Sequence, residues 1–570
     1  MRRDIQKLVD QRYDVVIVGG GIYGACIAWD ATQRGLSVAL VERGDFGQET
    51  SANSLKTVHG GLRYLQDADL ALVRMMIHER SALLRIAPHL VHPLPSLMPT
   101  YGHLMKSKPV MAVALKINDL VGFDRNRGLD VAQQLNPGKV ISREDCLRLL
   151  PGLAEDGVTG GALWYDGQVY NTERLTLSFI LSAAGAGAAV GNYVEAFGIL
   201  QEEDRVTGIK ARDTLSGGEF ELRASVVVNA AGPWVNCLLA GLPRRPEGFK
   251  FRHSLAINLV TRQLIDGIAA GVPSRSRAMP KNGGAARSRT LFIAPWREYS
   301  IVGTYHLPYT GHPDELRLDA GQIECFLEEI NSAYPGAGLA LEDIRLVHKG
   351  FLPAMDQRSG QEVKLLRQGQ IHDHRKETGL QGLISVVGVK YTSSRQIAEK
   401  TVDTVFRQLG KQPPECKTDQ LPLHDGQMNE FGEYLSQQVR QASRRMKPDL
   451  VRDLVYSYGS EYPRLLRLID LQAGGEEKPV GIAEIIRAVT LFAVRHEMAY
   501  KLKDVILRRS GIGSAGRPET SRLLCCVDVM AAELGWDQSR QAGEIAEVEA
   551  IYQPDFLRSN SGDQACSPLA

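Results

Sequence analysis

Three glycines at fixed spacing, Gly19, Gly21 and Gly24, follow the apolar run "DVVIV" near the N-terminus. Between a strand and a helix, a G-x-G-x-x-G turn brings backbone N–H groups and the helix N-terminus against a pyrophosphate. Gly19 allows the tight turn, Gly21 lets the backbone approach the phosphates, and Gly24 lets helix and strand pack closely. The next apolar run, "SVALVE", ends at Glu42, at the distance where a carboxylate accepts hydrogen bonds from a ribose diol. A bare tight turn would account for the glycines and leave Glu42 without a role. These residues predict a dinucleotide site.

Holding them in place takes a strand, a turn, a helix and a second strand. "DVVIVGG" reads as a buried parallel strand, "ACIAWDATQRG" as a helix stopped by Gly35, and "SVALVE" as the second strand. The strand, glycine turn and helix recur in "ASVVVNAAGPWVN" (224–236) and "LISVVGVKYTSSRQIAEKTVD" (383–403). Turns this far apart imply a nucleotide domain assembled from separated segments, with another domain inserted between them.

At 570 residues the chain exceeds one hydrophobic core, so two or three domains are expected. Hydrophobic residues at 44% and charged residues at 23% are ordinary for a globular protein. A formal net charge of +1 gives no global basic field, and nucleic acid is not an expected partner. The eight cysteines show no C-x-x-C spacing, which fits a reducing compartment and argues against a structural metal or a disulfide framework. The polar N-terminus lacks a signal-peptide core, and no apolar run approaches the roughly 18 residues of a spanning helix. The expected location is the cytoplasm or the cytoplasmic face of a membrane.

"TSANSLKTVHGGLRYL", "VVNAAGPWV" and "GVKYTSSR" carry a more specific signal. They resemble, in the same order, the H-G-G-L-R-Y segment, the A-G-P-W turn and the G-G-K-x-T-T-x-R turn of the FAD-dependent glycerol-3-phosphate dehydrogenases, within the D-amino-acid-oxidase-like superfamily. "AVRHEMAYKLKDVILRRSGIG" and "MAAELGWD" resemble that family's C-terminal domain. The resemblance implies an α/β fold: a glutathione-reductase-like FAD-binding domain with a parallel sheet, an inserted antiparallel-sheet substrate domain and an all-helical C-terminal domain. The FAD-binding segments are expected at 1–95, 150–240 and 345–410. An excursion over the cofactor (96–149) and the substrate domain (241–344) lie between them. A proline-rich linker (411–426), the helical domain (427–556) and a disordered tail (557–570) complete the chain.

The resemblance also implies FAD as cofactor. Gly19, Gly21, Gly24 and Glu42 would hold its adenosine diphosphate end. Ser51, Ser54, Gly60 and Gly61 would pass near the flavin, the paired glycines leaving room for a flat ring. Ala231 and Gly232 would touch the cofactor again. Gly388, Lys390 and Thr392 would open a helix whose N-terminal amides stabilise negative charge on the reduced flavin. The implied reaction oxidises glycerol 3-phosphate, a phosphorylated polyol, to dihydroxyacetone phosphate, with electrons passed to a quinone or other acceptor. His59 is the first candidate base, because imidazole accepts a proton near neutral pH, and Lys390 is the alternative. Arg63, beside them in the catalytic set, and Arg367 are the expected phosphate ligands, with Tyr64 and Arg252 as further substrate contacts. The plainer alternatives are a turn-capping His59 and a solvated Arg367. The presence of His59, Arg63 and Lys390 argues against a non-catalytic relative.

Three departures fall on the substrate side. Leu352, in "HKGFLPAM", stands where the family has a phosphate-binding arginine. Tyr305 and His306 replace a Thr-Asp pair, and His253 is one place off a family histidine. Either Arg252, Lys349 or Arg358 supplies the missing contact, or the substrate is a different polyol phosphate, hydroxy acid or amine. "PVMAVALKINDLVGF", flanked by Lys106, Lys108 and Lys116, reads either as a peripheral membrane contact, as quinone reduction would require, or as a buried helix over the flavin. The sequence leaves the oligomeric state open, with a homodimer among the assemblies considered.

Overall fold

The computed structural model describes residues 1–102, 106–242, 251–275, 288–355, 364–475 and 478–553. Arg358 and the expected disordered tail lie outside the described residues.

Tyr13–Val18 is a buried strand, as its β-branched run predicts. It pairs in parallel with Val38–Glu42 on one side and Glu219–Asn229 on the other. Leu383–Val387 and Ala189–Asn192 extend the parallel sheet, and Gln370–Asp373 closes one edge antiparallel. Because side chains alternate along a strand, Val15 and Ile17 face one layer and Val16 and Val18 the other. The first layer is built by the helices Ile22–Gln33, Thr172–Gly185 and Ser394–Gln408, which share a core with Leu40, Val226 and Val228. The second is an antiparallel meander of Val194–Glu202, Arg205–Asp213 and the first half of Glu219–Asn229.

A second sheet runs in the order Ile344–Ala354, Arg252–Arg262, Tyr299–Tyr309, Ser288–Trp296, Ala269–Arg275, Val91–Tyr101, Val158–Val169, Thr57–Val58. Its pairings are antiparallel apart from Ala269–Arg275 with Val91–Tyr101. The helix Ala320–Ala333 packs on it through Ile323, Phe326, Leu327 and Ile330, a spacing that puts all four on one helical face. This corrects the expected segmentation. Residues 57–58, 91–95, 158–169 and most of 344–354 sit in the second sheet, although the sequence reading groups them with the nucleotide domain. Alternating burial identifies a strand but not the sheet it joins.

Residues beyond 430 form helices, among them Phe431–Ala442, Pro448–Tyr458, Tyr462–Ala473, Ile482–His496 and Thr520–Leu534. Buried charges dock them on the first domain. Asp45 accepts from Arg508 Nε at 2.5 Å and from both terminal nitrogens of Arg509 at 2.8 and 2.9 Å. Arg174 donates to Glu497 at 2.8 Å. The expected linker is a fixed strap: Leu423 is fully buried and its amide donates to Ile86 O at 2.9 Å, while Arg34 donates to Pro414 O at 3.2 Å. No described helix is long and apolar enough to cross a membrane.

Candidate functional site

A cavity of about 600 Å³ opens between the two sheets, within the size range of sites that enclose a small molecule or cofactor. Gly19, Gly21, Glu42, Ser51, Ser54, His59, Ala231, Gly232, Gly388, Lys390 and Thr392 all line it. At its nucleotide end the glycine turn is as the spacing dictates. A Cβ on Gly24 would stand 1.9 Å from Gly19 O, so only glycine admits this approach of helix to strand. Gly21 precedes the helix Ile22–Gln33 without a side-chain cap of its own. Ser51 Oγ accepts from Ile22 N at 3.0 Å instead and fixes the mouth of the helix. The Glu42 carboxylate accepts from Gly20 N at 2.7 Å and Gly44 N at 2.9 Å. Burial raises its pKa against those two amides. A carboxylate has further lone pairs, so these two bonds leave it spare acceptor capacity towards the cavity.

At the other end, Tyr23 organises the last turn. Its hydroxyl donates to Lys390 O at 2.7 Å and accepts from Val389 N and Lys390 N at 3.0 and 3.1 Å. A Cβ on Gly388 would stand 2.2 Å from the Tyr23 ring. Thr392 Oγ1 accepts from the backbone amide of His59 at 3.2 Å, tying the histidine to the opening of the helix Ser394–Gln408. Burial pushes the His59 pKa down to about 4, against the pull of Asp166, and Arg63 and Lys390 add to the depression. Lys390 Nζ lies 5.1 Å and the Arg63 guanidinium 4.9 Å from the Tyr64 ring centroid, and Arg63 Nη2 donates to the Tyr64 hydroxyl at 2.9 Å. Burial also lowers the Lys390 pKa, partly offset by the Tyr64 hydroxyl. His59, Lys390, Arg63 and Tyr64 therefore form one corner, a neutral base beside two cations and a phenol, of which His59 and Lys390 line the cavity and Arg63 and Tyr64 do not.

Residues 14–391 match the family described as FAD dependent oxidoreductase, and residues 416–541 match the C-terminal domain of alpha-glycerophosphate oxidase. Glycerol-3-phosphate dehydrogenase of Mycobacterium leprae is 30% identical over 99% of this chain and 92% of its own length. The chain belongs to the FAD-dependent glycerol-3-phosphate dehydrogenase family. A Synechocystis glycerol-3-phosphate dehydrogenase is 29% identical over 97% of this chain and 99% of its own. The crystal structure of glycerol-3-phosphate dehydrogenase from Bacillus halodurans complexed with FAD superposes with a TM-score of 0.75, covering 96% of both chains at 24% identity. That likeness establishes the fold. FAD is the family's cofactor, and the glycine turn, Glu42 and the turn at Gly388 provide a cradle that fits it.

Within this glycerol-3-phosphate dehydrogenase framework several expected residues take other places. Gly60 and Gly61 do not line the cavity. A Cβ on Gly60 would meet Arg80 Nη1 at 2.5 Å, and one on Gly61 the Tyr64 ring at 3.0 Å. The pair makes room for protein packing. Gly60 N and Arg80 both donate to Asp166, at 2.7 and 2.9 Å. Arg252 is exposed on the strand Arg252–Arg262 and does not line the cavity, whereas His253, facing the other way, does. Arg367 is exposed and paired with Asp67 at 3.2 Å, close enough to depress Lys390 but outside the lining. Lys349 is exposed and outside the lining as well.

The departures separate. Leu352 and His253 line the cavity. His253 Nε2 is buried without a hydrogen-bond partner, and its ring packs on Phe351 at 5.4 Å. Tyr305 turns away and stacks on Phe326 at 4.9 Å. His306 meets Ser254 Oγ at 3.3 Å, and burial holds its pKa at about 4, with Arg289 and Arg63 adding to the depression. Tyr23 and Asp166 escaped the sequence reading. Tyr23 sits inside the glycine motif at a position any residue can fill, and its meaning depends on a turn more than 360 residues away.

Proposed function

We propose that this chain oxidises sn-glycerol 3-phosphate to dihydroxyacetone phosphate and passes the electrons to a quinone or other acceptor at a membrane surface. The observation that supports it most is the convergence of Arg63, Tyr64, Lys390 and His59 at one end of the FAD cradle. Bound FAD supplies the hydride acceptor. His59 is neutral across the physiological range, so its imidazole takes the proton from the substrate hydroxyl, and Asp166 favours the cation that results. Arg63 and Lys390 balance the phosphate charge, Arg63 through its planar fork and Lys390 as a point charge. Tyr64 offers a hydroxyl donor between them. Leu352 contributes no charge, so the phosphate is assigned to Lys390, which lines the cavity, with Arg63 beside it.

The membrane part of the proposal is supported by the helix Lys108–Val121. It buries Met111, Leu115 and Asn118 and leaves Val113, Leu120 and the following Phe123 60, 74 and 79% exposed. Lys106, Lys108 and Lys116 flank this apolar stripe, as in helices that lie in a lipid interface. A homodimer belongs to the same proposal, and sedimentation of the FAD-loaded protein tests it. The central test is anaerobic mixing of the FAD-loaded protein with glycerol 3-phosphate. The flavin absorbance should bleach; no bleaching at saturating substrate overturns the assignment.

A further inference from the structure

We infer that the segment 309–315, carried on the second sheet, is a strap that closes over the adenosine end of the FAD cleft and controls how fast the cofactor leaves. The inference rests on the FAD reading, because Glu42 and the glycine turn decide which end of the cavity receives the adenosine.

The strap begins where the strand Tyr299–Tyr309 ends. Tyr309 OH donates to His312 O at 2.7 Å and anchors the bend. Asp314 then reaches across to the nucleotide domain. Its two oxygens accept from Arg43 Nη2 and Nη1 at 2.6 and 3.1 Å, and Oδ1 also accepts from Trp234 Nε1 at 3.0 Å. The Arg43 guanidinium lies 4.0 Å over the Trp234 ring. A second fastening stands beside it, with His312 Nε2 and Cys237 Sγ 3.3 Å apart. Asp314 N approaches His312 Nδ1 at 3.3 Å. In the neutral ring Nδ1 is then the acceptor, so Nε2 carries the hydrogen and donates to the sulfur.

Three observations make this a strap rather than a fixed wall. All five side chains line the cofactor cavity. Arg43 follows the strand Val38–Glu42, and Trp234 and Cys237 lie on the helical turn and short helix Val235–Leu239 that follow Glu219–Asn229, while His312 and Asp314 extend from the other sheet, so the contacts bridge the two walls of the cleft. The fastenings are also exposed: the Arg43 and Asp314 side chains are 33 and 46% accessible. An ion pair open to solvent contributes little and is screened by salt, whereas a buried one is costly to break. The strap therefore opens readily, unlike the buried Asp45–Arg509 pair a few residues away. Arg43 directly follows Glu42, so closing the strap also fixes the loop that carries the ribose-binding carboxylate.

The test is FAD release from the holoprotein, followed by the rise of flavin fluorescence after dilution. Asp314→Ala should release FAD roughly three- to tenfold faster, the scale of one exposed ion pair with its cation–π support. Added salt should speed release from the parent toward the variant's rate and leave the variant unchanged. Asp314→Glu should restore slow, salt-sensitive release. In a Cys566→Ser background, Cys237, the exposed thiol among the described residues, should react faster with a maleimide in Asp314→Ala than in the parent, as read by peptide mapping. The circular dichroism of the variant should stay that of the parent. Parent-like release with parent-like Cys237 labelling overturns the strap alone. A parent that binds no FAD overturns the cofactor reading and the strap together.

Discussion

A histidine whose pKa is held near 4 is a base throughout the neutral range, and that sets the pH behaviour expected at the residue scale. The group must be neutral to accept a proton. Its availability is complete at neutral pH and is lost as pH falls through about 4. Reduction of bound FAD by substrate should therefore show no histidine limb near pH 6.5, the ordinary value. Stopped-flow rates between about pH 5 and about pH 8 should lack that limb. His59→Ala should keep FAD and slow the reduction by about two to four orders of magnitude. A variant that reduces at the parent rate moves the base to Lys390. At this scale the sequence was legible where meaning is local: Gly24 and Glu42 act on neighbours within one strand, turn and helix. It was illegible where meaning is set by distant packing. Gly60 looks identical in sequence whether its missing side chain faces a ring or the buried guanidinium of Arg80. Arg252 and His253 differ by one step along a strand, and the pleat sends one to solvent and the other to the cavity.

At the scale of the element, the helix Lys108–Val121 shows what periodicity can and cannot decide. The sequence offered two readings for its apolar run, and only the fold shows which stripe is left uncovered. Val113, Leu120 and Phe123 remain exposed while Met111 and Leu115 pack inward. Burying such side chains in a lipid interface is favourable by about 25 cal/mol per Å² of apolar surface. Leu120→Glu with Phe123→Glu should abolish co-sedimentation with anionic vesicles and leave flavin reduction by glycerol 3-phosphate intact. Unchanged co-sedimentation would remove this helix as the contact. The attachment of the linker 411–426 is set by distant packing as well. Proline and polar residues mark an interrupted chain, but its attachment depends on Leu423 filling a space between helices of other segments.

The whole molecule is joined by charges whose partners lie too far apart along the chain to be paired by local pattern. The helical character of the C-terminal region follows from its own pattern, but its docking depends on Asp45 meeting Arg508 and Arg509 more than 460 residues later. The two guanidiniums hold the buried Asp45 carboxyl down at about 2. Asp425, with His89, Arg174 and Ser178 around it, is likewise at about 2. A depressed carboxyl contributes stability that is present above its unfolded pKa near 3.9 and lost as pH falls through its folded value. Docking should thus hold through mild acid and fail between about pH 4 and pH 2. Asp45→Asn leaves two buried guanidiniums short of a counter-charge, a loss of about 3–5 kcal/mol. Scanning calorimetry should show the C-terminal helices melting earlier, as a separate transition. A single transition at the parent temperature would mean that apolar contacts alone hold the domains together.

Strand order also governs how this protein emerges from the ribosome. Tyr13–Val18 finds one neighbour, Val38–Glu42, almost at once, but its other edge is filled by Glu219–Asn229, roughly 200 residues later in synthesis. At about 5–20 residues per second that edge stays open for roughly 10–40 s. Val91–Tyr101 has a similar interval before Ala269–Arg275 arrives. Unpaired β-branched edges are templates for joining other chains. The nascent polypeptide is thus a natural client for chaperones through roughly the first half of its translation, and the interleaving that brings His59, Lys390 and Arg63 together is also what delays their assembly.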